Sequence, residues 1–172
     1  MKVFIGYISL SGNTEKMAVI IKDRLAAAGC KVEMERLDRL ETDTLKDYDL
    51  VFIGSYTWNK DELPYEAIEF YEELGQADVY GVKVACFGSD DLSYTNAYTA
   101  IDMLLKKMKD HGSNVYGETL KIHQKTTTYN QIKRCEDFAD QVLMWSTKRK
   151  KWRLFLRSRA LNILHYAKPA SL

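Results

Sequence analysis

Three short runs in this chain are apolar at nearly every position: Val3-Phe4-Ile5-Gly6-Tyr7-Ile8, Leu50-Val51-Phe52-Ile53-Gly54 and Val82-Lys83-Val84-Ala85-Cys86-Phe87-Gly88. A strand with one wet face alternates apolar and polar residues. A run without that alternation is buried on both faces, as in a parallel sheet covered by helices. Helical spacing follows each run. It is carried by Met17, Ile20, Ile21, Leu25 and Ala28 before Gly29, and by Ala67, Ile68, Phe70, Tyr71 and Leu74 after Pro64. It returns in Ile101, Leu104, Leu105 and Met108, in a helix read from about Asn96 to Gly112. Lys31 to Leu37 alternates imperfectly, as a strand near a sheet edge does. Val115 to Ile122, interrupted by Gly117, reads as a fifth strand. A last helix runs from about Tyr129 to Trp145, with Ile132, Phe138, Val142 and Trp145 facing in. Five strands interleaved with four helices predict an α/β fold with an open parallel sheet and helices on both faces.

In such a sheet, ligands bind beyond the carboxyl ends of the strands, where the strand order reverses. Three loops fall there. Ser9-Leu10-Ser11-Gly12-Asn13-Thr14 joins the first strand to a helix. A helix N-terminus offers free N–H groups and a positive dipole end. Three hydroxyls and Asn13 add neutral donors, and Gly12 permits close backbone approach, a set suited to a phosphate. The same residues also suit a plain helix cap. The Walker pattern is absent, so a nucleoside triphosphate site is not indicated.

The second loop carries Tyr56, Thr57, Trp58 and Asn59 before Lys60-Asp61-Glu62-Leu63-Pro64. The third runs Gly88-Ser89-Asp90-Asp91-Leu92-Ser93-Tyr94-Thr95-Asn96, with Tyr98 just beyond. Large aromatics in two neighbouring loops can clamp a flat ring by stacking. Asp61, Glu62, Asp90 and Asp91 would surround such a ring with negative charge.

Cys30, Cys86 and Cys135 form no close pair, an odd count that fits free thiols in a reducing compartment. The three histidines show no metal-ligand spacing with them. No apolar run approaches the roughly 20 residues a membrane-spanning helix needs, and no signal peptide is recognised, so the chain reads as cytoplasmic. The net charge of +1 conceals an asymmetry. Residues 148–172 hold 8 of the 25 basic residues and none of the 24 acidic ones, which leaves residues 1–147 at −7. If helical, this tail gathers Trp152, Phe155, Leu156, Ile163 and Tyr166 on one side, with Arg159 intruding. A basic amphipathic segment can contact a membrane surface or an acidic partner. It can also be an extension of no function.

Taken together, the three loops resemble the flavodoxin family, its short-chain bacterial branch in particular. Ser9, Ser11, Gly12 and Thr14 match the family's phosphate loop. Thr57-Trp58 and Asp61-Glu62-Leu63-Pro64 match its tryptophan loop. Ala85-Cys86-Phe87-Gly88-Ser89, then Asp91, Ser93 and Tyr94, match the loop on the pyrimidine side. The likeness spans residues 1 to about 147. It implies a flavodoxin-like doubly wound five-stranded sheet in the order 2-1-3-4-5, with FMN as cofactor at the switch point. Flavodoxins are a standing example of that rule, so the placement comes with the resemblance. It implies that Ser9, Ser11, Asn13 and Thr14 hold the phosphate and that Trp58 and Tyr94 cover the two ring faces. Backbone groups of Ser89 to Asp91 would meet the pyrimidine edge. Three positions depart from the family pattern: Asn59 and Asp90 stand where Gly is usual, and Lys60 where an acid is frequent.

The implied domains are residues 1–147, binding FMN, and the basic extension 148–172. The implied function is one-electron transport between redox proteins with basic docking faces, with no enzymatic step and no nucleic acid. An FMN-dependent NAD(P)H or quinone reductase on the same fold is the alternative. It needs room over the ring that Trp58 and Tyr94 would occupy.

Overall fold

The computed structural model describes residues 1–57, 62–90, 99–123 and 128–147, with Asp90 described by its backbone alone. The strands are β1 (Lys2–Tyr7), β2 (Lys31–Arg36), β3 (Leu50–Tyr56), β4 (Lys83–Asp90), β5 (Asn114–Val115) and β6 (Leu120–His123). The helices are α1 (Asn13–Ala27), α2 (Tyr65–Glu73), α3 (Thr99–Asp110) and α4 (Tyr129–Ser146). All described strand pairs are parallel, in the order β2-β1-β3-β4-β5, and β6 also pairs with β4. The predicted fifth strand is therefore two short pieces along one edge. Gly117 lies in the gap between them, where a residue without a side chain stabilises a strand least.

The uninterrupted apolar runs have the predicted cause. Val3, Ile5 and Tyr7 of β1, Phe52 of β3 and Phe87 of β4 pack beneath α1 and α4. Phe4 of β1, Val51 and Ile53 of β3, and Val84 and Cys86 of β4 pack beneath α2 and α3. Strand β2, at the edge, stays only partly buried. Helix α1 stops ahead of Gly29, which takes a left-handed φ of 86°. Helix α4 starts on a capping box in which Thr128 and Gln131 each satisfy the other's backbone N–H.

Four details differ from the sequence reading. Leu37 leaves β2 and opens a 3-10 turn (Leu37–Arg39), and a second such turn (Thr42–Asp47) buries Leu45. Pro64 caps α2 from outside, with an extended backbone. Ile68, read as an inner residue of α2, is exposed, as is Ala28. Ile132 and Trp145 of α4 are half-buried beside the fully enclosed Phe138 and Val142. The predicted start of the third helix at about Asn96 lies outside the described residues.

Candidate functional site

The strand order reverses between β1 and β3, and the loops that leave these two strands diverge there. Ile8 extends the pairing by one step, its N–H meeting the Gly54 carbonyl at 2.9 Å. The chain then turns through Ser9 to Gly12 into α1. Gly12 has φ +81°, a left-handed backbone that disfavours a side chain. A Cβ built there would meet nothing within 4 Å, so the space beside it is open. The Gly12 carbonyl accepts the Lys16 N–H at 3.0 Å and so begins the helix. The first-turn N–H groups of α1 point outward at this place, as at any helix start.

Two hydroxyls are the informative atoms. Ser9 Oγ and Thr57 Oγ1 are buried and have no hydrogen-bond partner. One follows β1 and the other follows β3, so both stand at the reversal point. A buried hydroxyl without a partner costs roughly 1–3 kcal/mol, and native proteins seldom leave one so. A polar ligand at these loops would satisfy both. The donor set is neutral hydroxyl and amide with an open glycine corner, which fits a phosphate-bearing cofactor.

Thr14, the first fully buried polar residue of α1, meets a residue of the third loop. Its Oγ1 lies 2.8 Å from Ser89 Oγ. Ser89 in turn is paired in register with Tyr56, so the ends of β3 and β4 leave the sheet side by side. Gly88 is needed just before, because a Cβ there would run into the Ile101 side chain and the Ser55 carbonyl. The structure thus gathers Ser9, Thr14, Thr57 and Ser89 at one end of the sheet. Leu10 and Ser11 on the rim are exposed, and Asn13 is half-buried.

Tyr56 is held elsewhere. Its ring packs against the core beneath α2, and its hydroxyl donates to Glu66 Oε2 at 3.1 Å. Burial first, then the Glu66 charge, push its pKa up to about 12. Glu66 gave no signal in the sequence, since a carboxylate in the first turn of a helix needs no further explanation. Trp58, Asn59, Lys60 and Asp61, and Asp91, Tyr94, Asn96 and Tyr98, lie outside the described residues. Among the described residues no group of histidine, cysteine and carboxylate side chains is placed to hold a metal ion.

A doubly wound parallel sheet with a glycine-hydroxyl loop at its reversal point defines a class: the nucleotide-binding folds of flavodoxin type. This chain belongs to the flavodoxin family, whose model, described as Flavodoxin, matches residues 5–138. "Probable flavodoxin 1" of Bacillus subtilis is 40% identical over 145 residues, covering 84% of this chain and 92% of that one. "Flavodoxin" of Maridesulfovibrio salexigens is 34% identical over 124 residues, covering 70% and 85%. The crystal structure of oxidised Flavodoxin 2 from Bacillus cereus superimposes with a TM-score of 0.80 at 34% identity. It covers 83% of this chain and 98% of its own. The fold, the family and the electron-carrier character that goes with them therefore hold for this protein.

Proposed function

We propose that this protein binds one FMN non-covalently at the three loops and acts as a one-electron carrier. The observation that carries the reading is the pair of buried, unpartnered hydroxyls, Ser9 Oγ and Thr57 Oγ1, at the point of strand reversal. Bound FMN supplies the redox chemistry by taking up and releasing single electrons. The residues do the rest. Ser9, Ser11 and Asn13, with the N–H groups of Leu10 and Gly12, bind the phosphate. Thr14, hydrogen-bonded to Ser89, would hold the phosphate loop against the third loop. Thr57 and Asn59 would serve the ring side, Trp58 and Tyr94 would exclude water from its faces, and Ser89, Asp90 and Asp91 would orient its pyrimidine edge. Tyr56 fixes the root of the second loop through Glu66. Asn96 and Tyr98 would add further contacts to the cofactor.

In this reading residues 1–147 are the redox domain, and the protein transforms no substrate of its own. Its body charge of −7 suits basic faces on reductases and oxidases, with association that weakens as salt rises. The proposed setting is the cytoplasm. Among the described residues no helix is long and apolar enough to cross a membrane. Reconstitution of the stripped protein with FMN and with riboflavin tests the site. FMN should bind with one-to-one stoichiometry and far more tightly than riboflavin. Equal affinities would remove the phosphate loop from the reading. Turnover of NADPH with a quinone, without an added reductase, would make it an enzyme instead.

A further inference from the structure

The last 25 residues differ in kind from the rest. They hold 8 lysines and arginines and no acid, interleaved with Trp152, Leu154, Phe155, Leu156, Leu161 and Ile163. They also lie beyond the stretch that matches the family. Cationic residues mixed with large apolar ones match an anionic lipid surface, which attracts the charges and accepts the apolar groups at its acyl boundary. Nucleic acid would use the charges and leave much of the apolar surface in water. Docking back onto the protein's own acidic body is the other outlet for the charge. Among the described residues, however, the exposed large apolar side chains are spread over six segments. They include Leu10, Val19, Tyr65, Tyr80 and Tyr129. Met1 and Met144, each 37% exposed, are among them beside the tail's exit, and they present less apolar surface than Trp152, Phe155 and the leucines would bury.

The point of attachment is well defined. Helix α4 ends at Ser146, whose carbonyl accepts Lys83 Nζ at 2.7 Å. Lys83 is the first residue of β4. The Ser146 hydroxyl lies 3.9 Å from the Met1 sulfur, at the start of β1. The tail therefore leaves from the strand-start end of the sheet. Ser9, Thr57 and Ser89 lie at the opposite end, one strand length away, roughly 20–25 Å at about 3.3 Å per residue. That distance exceeds the screening length of about 8 Å at physiological salt, so charges at the loop end, Glu62 among them, are not pressed against anionic lipid.

We propose that residues 148–172 bind an anionic membrane surface and hold the body with its strand-start end towards the lipid and its three ligand loops towards water. The tether stands whether or not those loops bind FMN. The orientation concerns the loops themselves, whatever their ligand.

The test uses the full chain with its native cofactor content. Sedimentation with vesicles of phosphatidylcholine and phosphatidylglycerol in equal parts should carry the protein down at low salt. Vesicles of phosphatidylcholine alone should not. Replacing Arg153, Arg157 and Arg159 together by Glu should lower the partition by about 100-fold or more, while the redox spectrum of the soluble protein stays unchanged. Brominated lipid should quench tryptophan fluorescence in the bound protein. Read in a Trp145→Phe background, because Trp145 stands in the last turn of α4 at the end turned to the lipid, that quench should vanish in Trp152→Phe and persist in Trp58→Phe. Equal binding to neutral vesicles, or binding that survives the triple charge reversal, overturns the tether. So does a tail that prefers single-stranded RNA to vesicles, or that stays on the body and leaves the lipid unbound. A quench lost in Trp58→Phe overturns the orientation.

Discussion

The hydroxyls of Thr14 and Ser89 stand 75 positions apart in sequence and 2.8 Å apart in space, in a place where neither residue exceeds 4% exposure. They tie the start of α1 to the end of β4, and so tie the phosphate loop to the third loop. Removing one partner leaves the other buried without a bond, a cost of about 1–3 kcal/mol. Thr14→Val and Ser89→Ala should each lower the urea unfolding free energy by that amount. The double variant should lose clearly less than the sum of the two. Strict additivity in the four-member cycle would show that the two groups do not interact.

Ser9 and Thr57 should behave in the opposite way. Their hydroxyls are buried and unpaired, so the protein already bears their desolvation without return. Ser9→Ala and Thr57→Ala should leave the ligand-free protein as stable as the parent, or more stable by up to about 1 kcal/mol. Each should weaken FMN by about 10- to 100-fold, the worth of a hydrogen bond to a charged or strongly polar group. Calorimetric melting of the ligand-free variants and FMN titration measure the two effects. Ligand-free variants that melt well below the parent would mean that these hydroxyls have protein partners.

Alkaline pH should reach Tyr56 late. Burial and Glu66 raise its pKa to about 12, against an unfolded value of 10.0. The folded state thus holds this proton more tightly than the unfolded chain does. The resulting stability is complete below pH 10 and is lost as pH rises from 10 to 12. Tyr48, pushed up to about 12 by burial and then by its bond to Glu33, adds loss in the same window. Tyr56→Phe should flatten the decline of stability between pH 10 and 12. An unchanged slope would place the alkaline sensitivity elsewhere.

The parallel sheet was legible because burial on both faces erases alternation, and Leu50 to Ile53 or Val84 to Phe87 admit no wet side. The phosphate loop was legible because Gly12 and its hydroxyls sit between such a run and a helix. The partner of Thr14 was not legible. A contact across 75 positions has no local pattern, and the residue reads from sequence as a ligand alone. Tyr56 read as one more cofactor-side aromatic of the second loop, because aromatics in loops and aromatics at the root of a loop look alike. Only the fold shows its ring turned to the core and its hydroxyl on Glu66. The divided fifth strand was half visible in Gly117, but two edge pieces of two and four residues carry too little pattern to be told from one weak strand.

The three thiols offer a reading of how the two layers of the protein open. Cys86 lies in the core beneath α2 and α3, and Cys135 in the core beneath α1 and α4, each without exposure. Burial pushes both thiols up to about 12, so the reactive thiolate is nearly absent at pH 8 and the reagent has no path to the sulfur. Cys30 is half-buried beside Gly29, and burial raises its pKa as well. A thiol reagent in native buffer should therefore modify Cys30 first, more slowly than a free peptide thiol. Cys86 and Cys135 should follow only through unfolding. If the proposed site is right, FMN at 100 times its dissociation constant stabilises the folded state by about 2.7 kcal/mol, which slows both buried thiols by about 100-fold. Cys30 should keep its rate, because its exposure does not depend on unfolding. Mass-spectrometric counting of labelled cysteines against time gives the three rates separately. If FMN slowed Cys86 and left Cys135 untouched, α4 would be opening on its own from a body whose ligand loops stay folded.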